Sequence, residues 1–227
     1  KAAEGEIPVL IHNPHPYPVT GVFECEFNLP DAIFEEQFTV PTVRRDGVAL
    51  PCQTEQEASN MPLDWRKRVV FHADLAPCAM NRFSCTLENV QPARPAPAMA
   101  FENGMLRFRS ERVEAVVSGA TGLLEKYVVD GVTYIEGAGV VPLIVKDNED
   151  PWGMLASSYR EVVGQFTLLE GAANDRISGL PGKGLPPVRV IEDGPVRTVV
   201  EAVFGYGDSF LVMTYTLPKL GTELEIH

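Results

Sequence analysis

The chain has 227 residues, 45% of them hydrophobic and 22% charged, a composition that excludes disordered and fibrous classes and suits a globular protein with one large core or two modest ones. Its 19 Lys and Arg stand against 31 Asp and Glu, a formal charge of -12, so the basic stripe that a nucleic-acid or anionic-membrane partner requires is not expected. The acidic balance itself names no substrate.

Taken in order, the apolar residues recur with period two. Helical periodicity is nearly absent. In Phe23-Glu24-Cys25-Glu26-Phe27-Asn28-Leu29 every second side chain is apolar and those between are acidic or polar, the pattern of a strand with one face on a core. Similar runs predict strands at 68–75, 82–90, 105–109, 113–117, 140–145, 161–169, 188–191, 196–204 and 210–217. Turn signals punctuate them: Asp46-Gly47, Asn103-Gly104, Thr121-Gly122, Asp130-Gly131, Asp193-Gly194 and Gly207-Asp208. Many short strands without intervening helices predict an all-β antiparallel sandwich rather than βαβ units.

Gln91-Pro92-Ala93-Arg94-Pro95-Ala96-Pro97-Ala98 removes backbone donors and fixes φ at three positions, so it predicts an extended linker between a small β domain, 1–92, and a larger one, 99–227. The Gly- and Pro-rich segment 171–187 predicts a long surface loop. The alternation Glu223-Leu224-Glu225-Ile226-His227 stops without a turn, and the expectation is that the last strand is truncated. No apolar run reaches the roughly 20 residues of a membrane span, and the first residues lack the apolar stretch of a signal peptide. Cys25, Cys52, Cys78 and Cys85 show no CxxC pair or zinc-like spacing; the expectation is reduced, packing cysteines in a cytoplasmic protein, with one or two disulfides as the alternative.

The candidate chemistry is thin. His12 and His15 would converge on a metal only from a helix, which Pro14 and Pro16 forbid, and no third cluster completes a zinc site. No Gly-x-Ser-x-Gly elbow supports nucleophilic hydrolysis, and Gly179-Leu180-Pro181-Gly182-Lys183-Gly184 lacks the spacing of a phosphate cradle. The densest carboxylate group is Asp147-Asn148-Glu149-Asp150-Pro151-Trp152-Gly153, either a solvated acidic loop or a carbohydrate-facing one in which an indole stacks on a sugar ring.

The opening Pro8-Val9-Leu10-Ile11-His12-Asn13-Pro14-His15-Pro16-Tyr17-Pro18 and the later Phe71-His72-Ala73-Asp74-Leu75-Ala76-Pro77 resemble the start and the closing strand of the first β domain in the C-terminal β region of family 38 α-mannosidases. Phe101-Glu102-Asn103-Gly104-Met105-Leu106-Arg107-Phe108 with Ser118-Gly119-Ala120-Thr121-Gly122-Leu123-Leu124 resembles the beginning of its large sandwich. The chain departs there from the usual Gly-Gly, and Lys126 lacks its preceding aspartate. Asp147–Trp152 resembles an acidic, Trp-containing segment, and Val190-Ile191-Glu192-Asp193-Gly194-Pro195-Val196-Arg197 a "Glu-x-Gly-Pro-x-Arg" strand.

The resemblance implies a small β-sandwich followed by a larger (super)sandwich of the galactose mutarotase-like kind. It further implies a separate N-terminal barrel that carries zinc and the carboxylate nucleophile. No catalytic residue, metal site or cofactor is therefore expected in this chain, which is expected to be inactive alone. Asn148, Asp150, Trp152 and Arg197 are the residues expected to face carbohydrate. The expected partners are mannosides and the catalytic barrel. A stand-alone carbohydrate-binding module, or a mutarotase-like enzyme using His72 with a Glu, are the alternatives.

Overall fold

A computed structural model of the chain describes residues 2–34, 37–57, 63–91, 99–149, 158–177, 182 and 184–227. The fold is all-β and antiparallel, 62% strand and 4% helix. It divides into two units: Lys1–Ala98 with Glu192–Thr198 and Pro218–Gly221, and Met99–Ile191 with Val199–Leu217 and Thr222–His227. The first boundary falls at the end of the proline-rich segment, whose residues 92–98 lie outside the described residues. The two short segments 192–198 and 218–221, expected in the second domain, belong with the first unit.

In the first unit β1 (Ile7–Asn13), β2 (Val19–Ile33), β3 (Phe38–Arg45), β4 (Val48–Ala49), β5 (Cys52–Glu55), β6 (Asp64–Leu75) and β7 (Ala79–Val90) form two sheets, ordered β1-β7-β3-β4 and β2-β6-β5. Alternation sends Val9, Val43, Phe83 and Cys85 from one sheet and Val69, Phe71, Ala73 and Leu75 from the other into one shared core. Phe71 and Phe83 meet edge to face, ring centroids 5.3 Å apart. Asn13, 2% exposed, closes the end of this sandwich. Its amide donates to the carbonyls of Tyr17 and Ala76 at 3.0 and 3.2 Å, and its Oδ1 accepts from the His15 amide at 3.0 Å. The Asn-Pro signature thus fixes a proline-rich turn.

The chain continues as β8 (Phe101–Glu102), β9 (Met105–Arg109), β10 (Val113–Ser118), β11 (Leu124–Val129), β12 (Val132–Gly139), β13 (Leu143–Val145), β14 (Val162–Gln165), β15 (Thr167–Leu168), α1 (Gly171–Ile177), β16 (Val188–Asp193), β17 (Arg197–Tyr206), β18 (Ser209–Pro218) and β19 (Glu225–Ile226); all of these lie in the second unit except the end of β16 from Glu192, the start of β17 to Thr198 and Pro218 of β18, which belong to the first. One sheet runs β12-β11-β10-β9-β8. The other runs β15-β17-β18-β19 with β16 beside β17, and β13 pairs β14 separately. Leu106, Phe108, Val113, Val117 and Leu124 from the first sheet pack with Val200, Phe204, Tyr215 and Leu217 from the second.

The turn signals act as expected. Asp46-Gly47, Asn103-Gly104 and Asp130-Gly131 each hold positive φ at both residues, which is what a two-residue hairpin of type I′ demands.

The segment 171–187, expected to be loop throughout, begins as helix α1, which corrects that reading. The breakers Gly179, Pro181, Gly184, Pro186 and Pro187 all lie beyond it, while Ala172-Ala173-Asn174-Asp175-Arg176 contains none. The fully buried Asn174 donates to the Leu185 carbonyl at 2.7 Å. The Asp175 carboxylate accepts from the Gly184 and Leu185 amides, both at 3.1 Å, so side chains of the helix tie down the end of the segment.

Candidate functional site

The acidic segment begins at the end of the two-stranded ribbon β13–β14, in which Leu143 pairs Gln165 and Val145 pairs Val162. Next to it the Lys146 amide donates to the Glu161 carbonyl at 2.8 Å, and the Lys146 ammonium lies 3.2 Å from the Glu161 carboxylate. Gly164 lets the ribbon rest on an aromatic: a Cβ at this position would meet the Tyr206 ring at 2.8 Å. The Tyr206 ring in turn tilts against Phe166 at 6.0 Å. Asp147, Asn148 and Glu149 are exposed, and the Asn148 amide donates to the Asp147 carboxylate at 2.8 Å, a local turn. Asp150 and Trp152 lie outside the described residues.

Arg197 occupies a different setting, in the first unit. Its side chain is 9% exposed, and Nε and one terminal nitrogen donate to the two oxygens of Glu55 at 2.7 and 2.6 Å. Glu24 accepts from Arg197 at 3.1 Å and from Arg68 at 2.8 Å. Burial works to lower the Arg197 pKa, but the Glu55 and Glu24 carboxylates outweigh it and raise the value. Gln53 completes the network. Its Oε1 accepts from the Val196 and Arg197 amides at 2.9 and 3.0 Å, and its amide donates to the Arg197 carbonyl at 3.1 Å and to Glu55 at 2.8 Å. A Cβ on Gly194 would sit 2.4 Å from Gln53 Oε1, so the Gly-Pro-x-Arg motif needs glycine for the approach of that side chain. The guanidinium expected to face carbohydrate is thus a buried structural group.

Glu192 lies beside this network. Burial raises its pKa first of all, and the Gln56 amide donating to it at 2.7 Å opposes that.

His12 lies in β1 opposite Met80, His15 stacks on Tyr17 at 5.0 Å, and His72 lies in β6 opposite Val22. Among the described residues no group of three or more His, Cys, Asp or Glu side chains could hold a metal ion. No helix among them is long and apolar enough to cross a membrane.

All four cysteines are free; Cys25 and Cys52 are half-buried, Cys85 is buried and Cys78 is exposed. The packing role expected of all four therefore does not extend to Cys78, which sits in the β6–β7 turn at φ 47°. Burial pushes the Cys85 thiol up to about 12 from an ordinary 9.0, with the Cys25 and Cys52 thiols adding to it. The folded state therefore holds a proton that the unfolded chain releases. This stabilisation is fully present below pH 9 and is lost as pH rises toward 12, at roughly 1.4 kcal/mol per pH unit. Cys85→Ala should cost stability at pH 8 yet flatten the decline between pH 9 and 10, read as urea midpoints. An equal decline in both proteins would show that Cys85 does not titrate on unfolding.

The sequence reading assigned nothing to a cleft on the outer face of the sheet β9–β12. Its charged residues, Arg109, Glu111, Arg112, Glu114, Lys126 and Asp130, sit at outward strand positions and in the turns joining them. Compared with known families and curated proteins, the chain matches no family model and no curated sequence.

Proposed function

We propose that this chain is the non-catalytic β region of an α-mannosidase-like glycoside hydrolase, which packs on a separate catalytic barrel and helps to shape its carbohydrate cleft. One observation carries the reading: residues of the segments resembling that family hold the sandwiches together. Asn13 ties the first turn through three side-chain hydrogen bonds, Gly122 fits where no Cβ can, and Gly194 and Arg197 build the network around Gln53 and Glu55. Such residues support a scaffold rather than a reaction. The zinc implied by the resemblance belongs, on this reading, to the barrel. The free cysteines favour a reducing, cytoplasmic setting.

On this reading the segment 147–153 faces the cleft, with Asn148 and Asp150 toward sugar hydroxyls and Trp152 against an apolar sugar face. In the full-length enzyme, Trp152→Ala should raise KM for an aryl α-mannoside while the melting temperature stays within a few degrees. If it instead costs about 3–5 kcal/mol of stability with KM unchanged, the indole is a packing group and the cleft role fails.

A further inference from the structure

The cleft on the outer face of the sheet β9–β12 has a volume of about 570 Å³, within the roughly 300–1,000 Å³ of small-ligand sites. All of its lining lies in the second unit. Its charges balance: Arg109, Arg112 and Lys126 face Glu111, Glu114 and Asp130. Arg109, Arg112, Lys126, Glu114 and Asp130 pair with one another at the surface, their side chains 30–78% exposed. Arg112 grips Asp130 through two bonds, Nε to Oδ1 at 2.9 Å and a terminal nitrogen to Oδ2 at 2.5 Å. Glu114 joins Arg109 to Lys126, the ammonium lying 2.9 Å from Oε2. Asp130 and Gly131 are the central residues of a type I′ turn, so the pair is mounted on a rigid hairpin.

Balanced charge gives no preference for an anion or a cation. The remaining hydrogen-bonding capacity is mixed: a guanidinium carries more N–H donors than one carboxylate accepts, and each carboxylate keeps lone pairs beyond those its cation engages. A hydroxyl is a neutral group that donates and accepts at once through a single atom, and a pair of adjacent hydroxyls can span a carboxylate and its cation together. Val128, opposite Glu114 in register, lines the cleft as well and is 9% exposed.

We propose that this cleft is a binding site for a neutral pyranoside, with adjacent ring hydroxyls bridging the Arg112–Asp130 and Lys126–Glu114 pairs. The proposal goes beyond the α-mannosidase reading and does not rest on it, since the site lies wholly on one sheet of this chain. Either can fail without the other, because the Trp152 test reads catalysis by the full-length enzyme and this one reads binding by the chain alone.

The test is an amide-resolved NMR titration of the isotope-labelled chain with methyl α-mannopyranoside and methyl β-glucopyranoside, with inorganic phosphate and glycine betaine as ionic and zwitterionic probes. The expected result is a saturable millimolar response to the pyranosides at Arg112, Glu114, Lys126 and Thr133, weakened about tenfold or more by Asp130→Ala. Arg112→Gln, which keeps a polar side chain but removes the charge and the reach of the guanidinium, should weaken binding likewise, so that a fold defect in the first variant does not decide the matter. No saturable response to either pyranoside, a response undiminished in both variants, or stronger binding of phosphate or betaine would overturn it.

Discussion

Gly122→Ala should be among the most damaging single-methyl additions in the second unit, costing about 2–5 kcal/mol. Two separate penalties add. Gly122 holds φ +72°, where a residue with a Cβ is disfavoured by roughly 1–2 kcal/mol. The new methyl would also lie 2.7 Å from Leu168 Cδ1 and 2.8 Å from Phe204 Cζ, and overpacking of this kind costs about 1–3 kcal/mol. Phe204 is fully buried in the shared core and cannot swing away without displacing its neighbours. The Gly122 carbonyl, moreover, accepts from the hydroxyl of the buried Tyr215 at 2.9 Å, so a shift of the turn would strand that phenol. Gly131→Ala separates the two penalties: φ there is +80°, but no atom lies within 4 Å of the added carbon, so only about 1–2 kcal/mol should be lost. Urea denaturation of both variants decides. Equal losses would mean that the core gives way to the methyl and that the close approach is not a constraint.

Arg197→Ala should cost about 3–5 kcal/mol, because it leaves the Glu55 carboxylate, 2% exposed, without its bidentate partner. An exposed pair behaves differently: Arg66 and Glu26 are 42% and 34% exposed, and Arg66→Ala should cost no more than about 1 kcal/mol. The double substitution Arg197→Met with Glu55→Met should recover most of the loss, since two apolar side chains leave no stranded charge. If Arg197→Ala proves as mild as Arg66→Ala, the network is not a support of the first unit. Arg197 would then be free to be reconsidered as a ligand-facing group.

Much of this architecture was legible in the residues. The strands with clean alternation and an adjacent turn pair, such as 105–109 and 113–117, fall within a residue of their observed limits, because a buried face and a glycine at positive φ leave little choice. Strand β3 was not read: Pro41 interrupts its run, and Thr39, 2% exposed, takes an inward position that a pattern search assigns to an apolar side chain. Strands β11 and β12 were hidden by two register shifts between them, at Leu124/Lys126 and Tyr127/Val128, which break period two although the Asp130-Gly131 turn was recognised.

The site was less legible. Arg197 reads as an exposed charge at the end of a turn signal, yet its partners Glu55 and Glu24 lie 142 and 173 residues away in sequence, and no local pattern announces a contact of that range. The paired charges of the outer-face cleft were invisible for the same reason. Glu114 and Lys126 are 12 residues apart and face each other only once β10 and β11 are in register.

The most direct measurement compares the isolated chain with the full-length polypeptide that carries it. Each is assayed with zinc and an aryl α-mannoside, and the mature polypeptide is weighed by intact mass spectrometry. The expected result is no turnover by the chain alone and zinc-dependent mannoside hydrolysis by a polypeptide much heavier than 24.9 kDa. Hydrolysis by the isolated chain, or a mature polypeptide of that mass without a catalytic barrel, would contradict the proposal that this is the non-catalytic β region of an α-mannosidase-like enzyme.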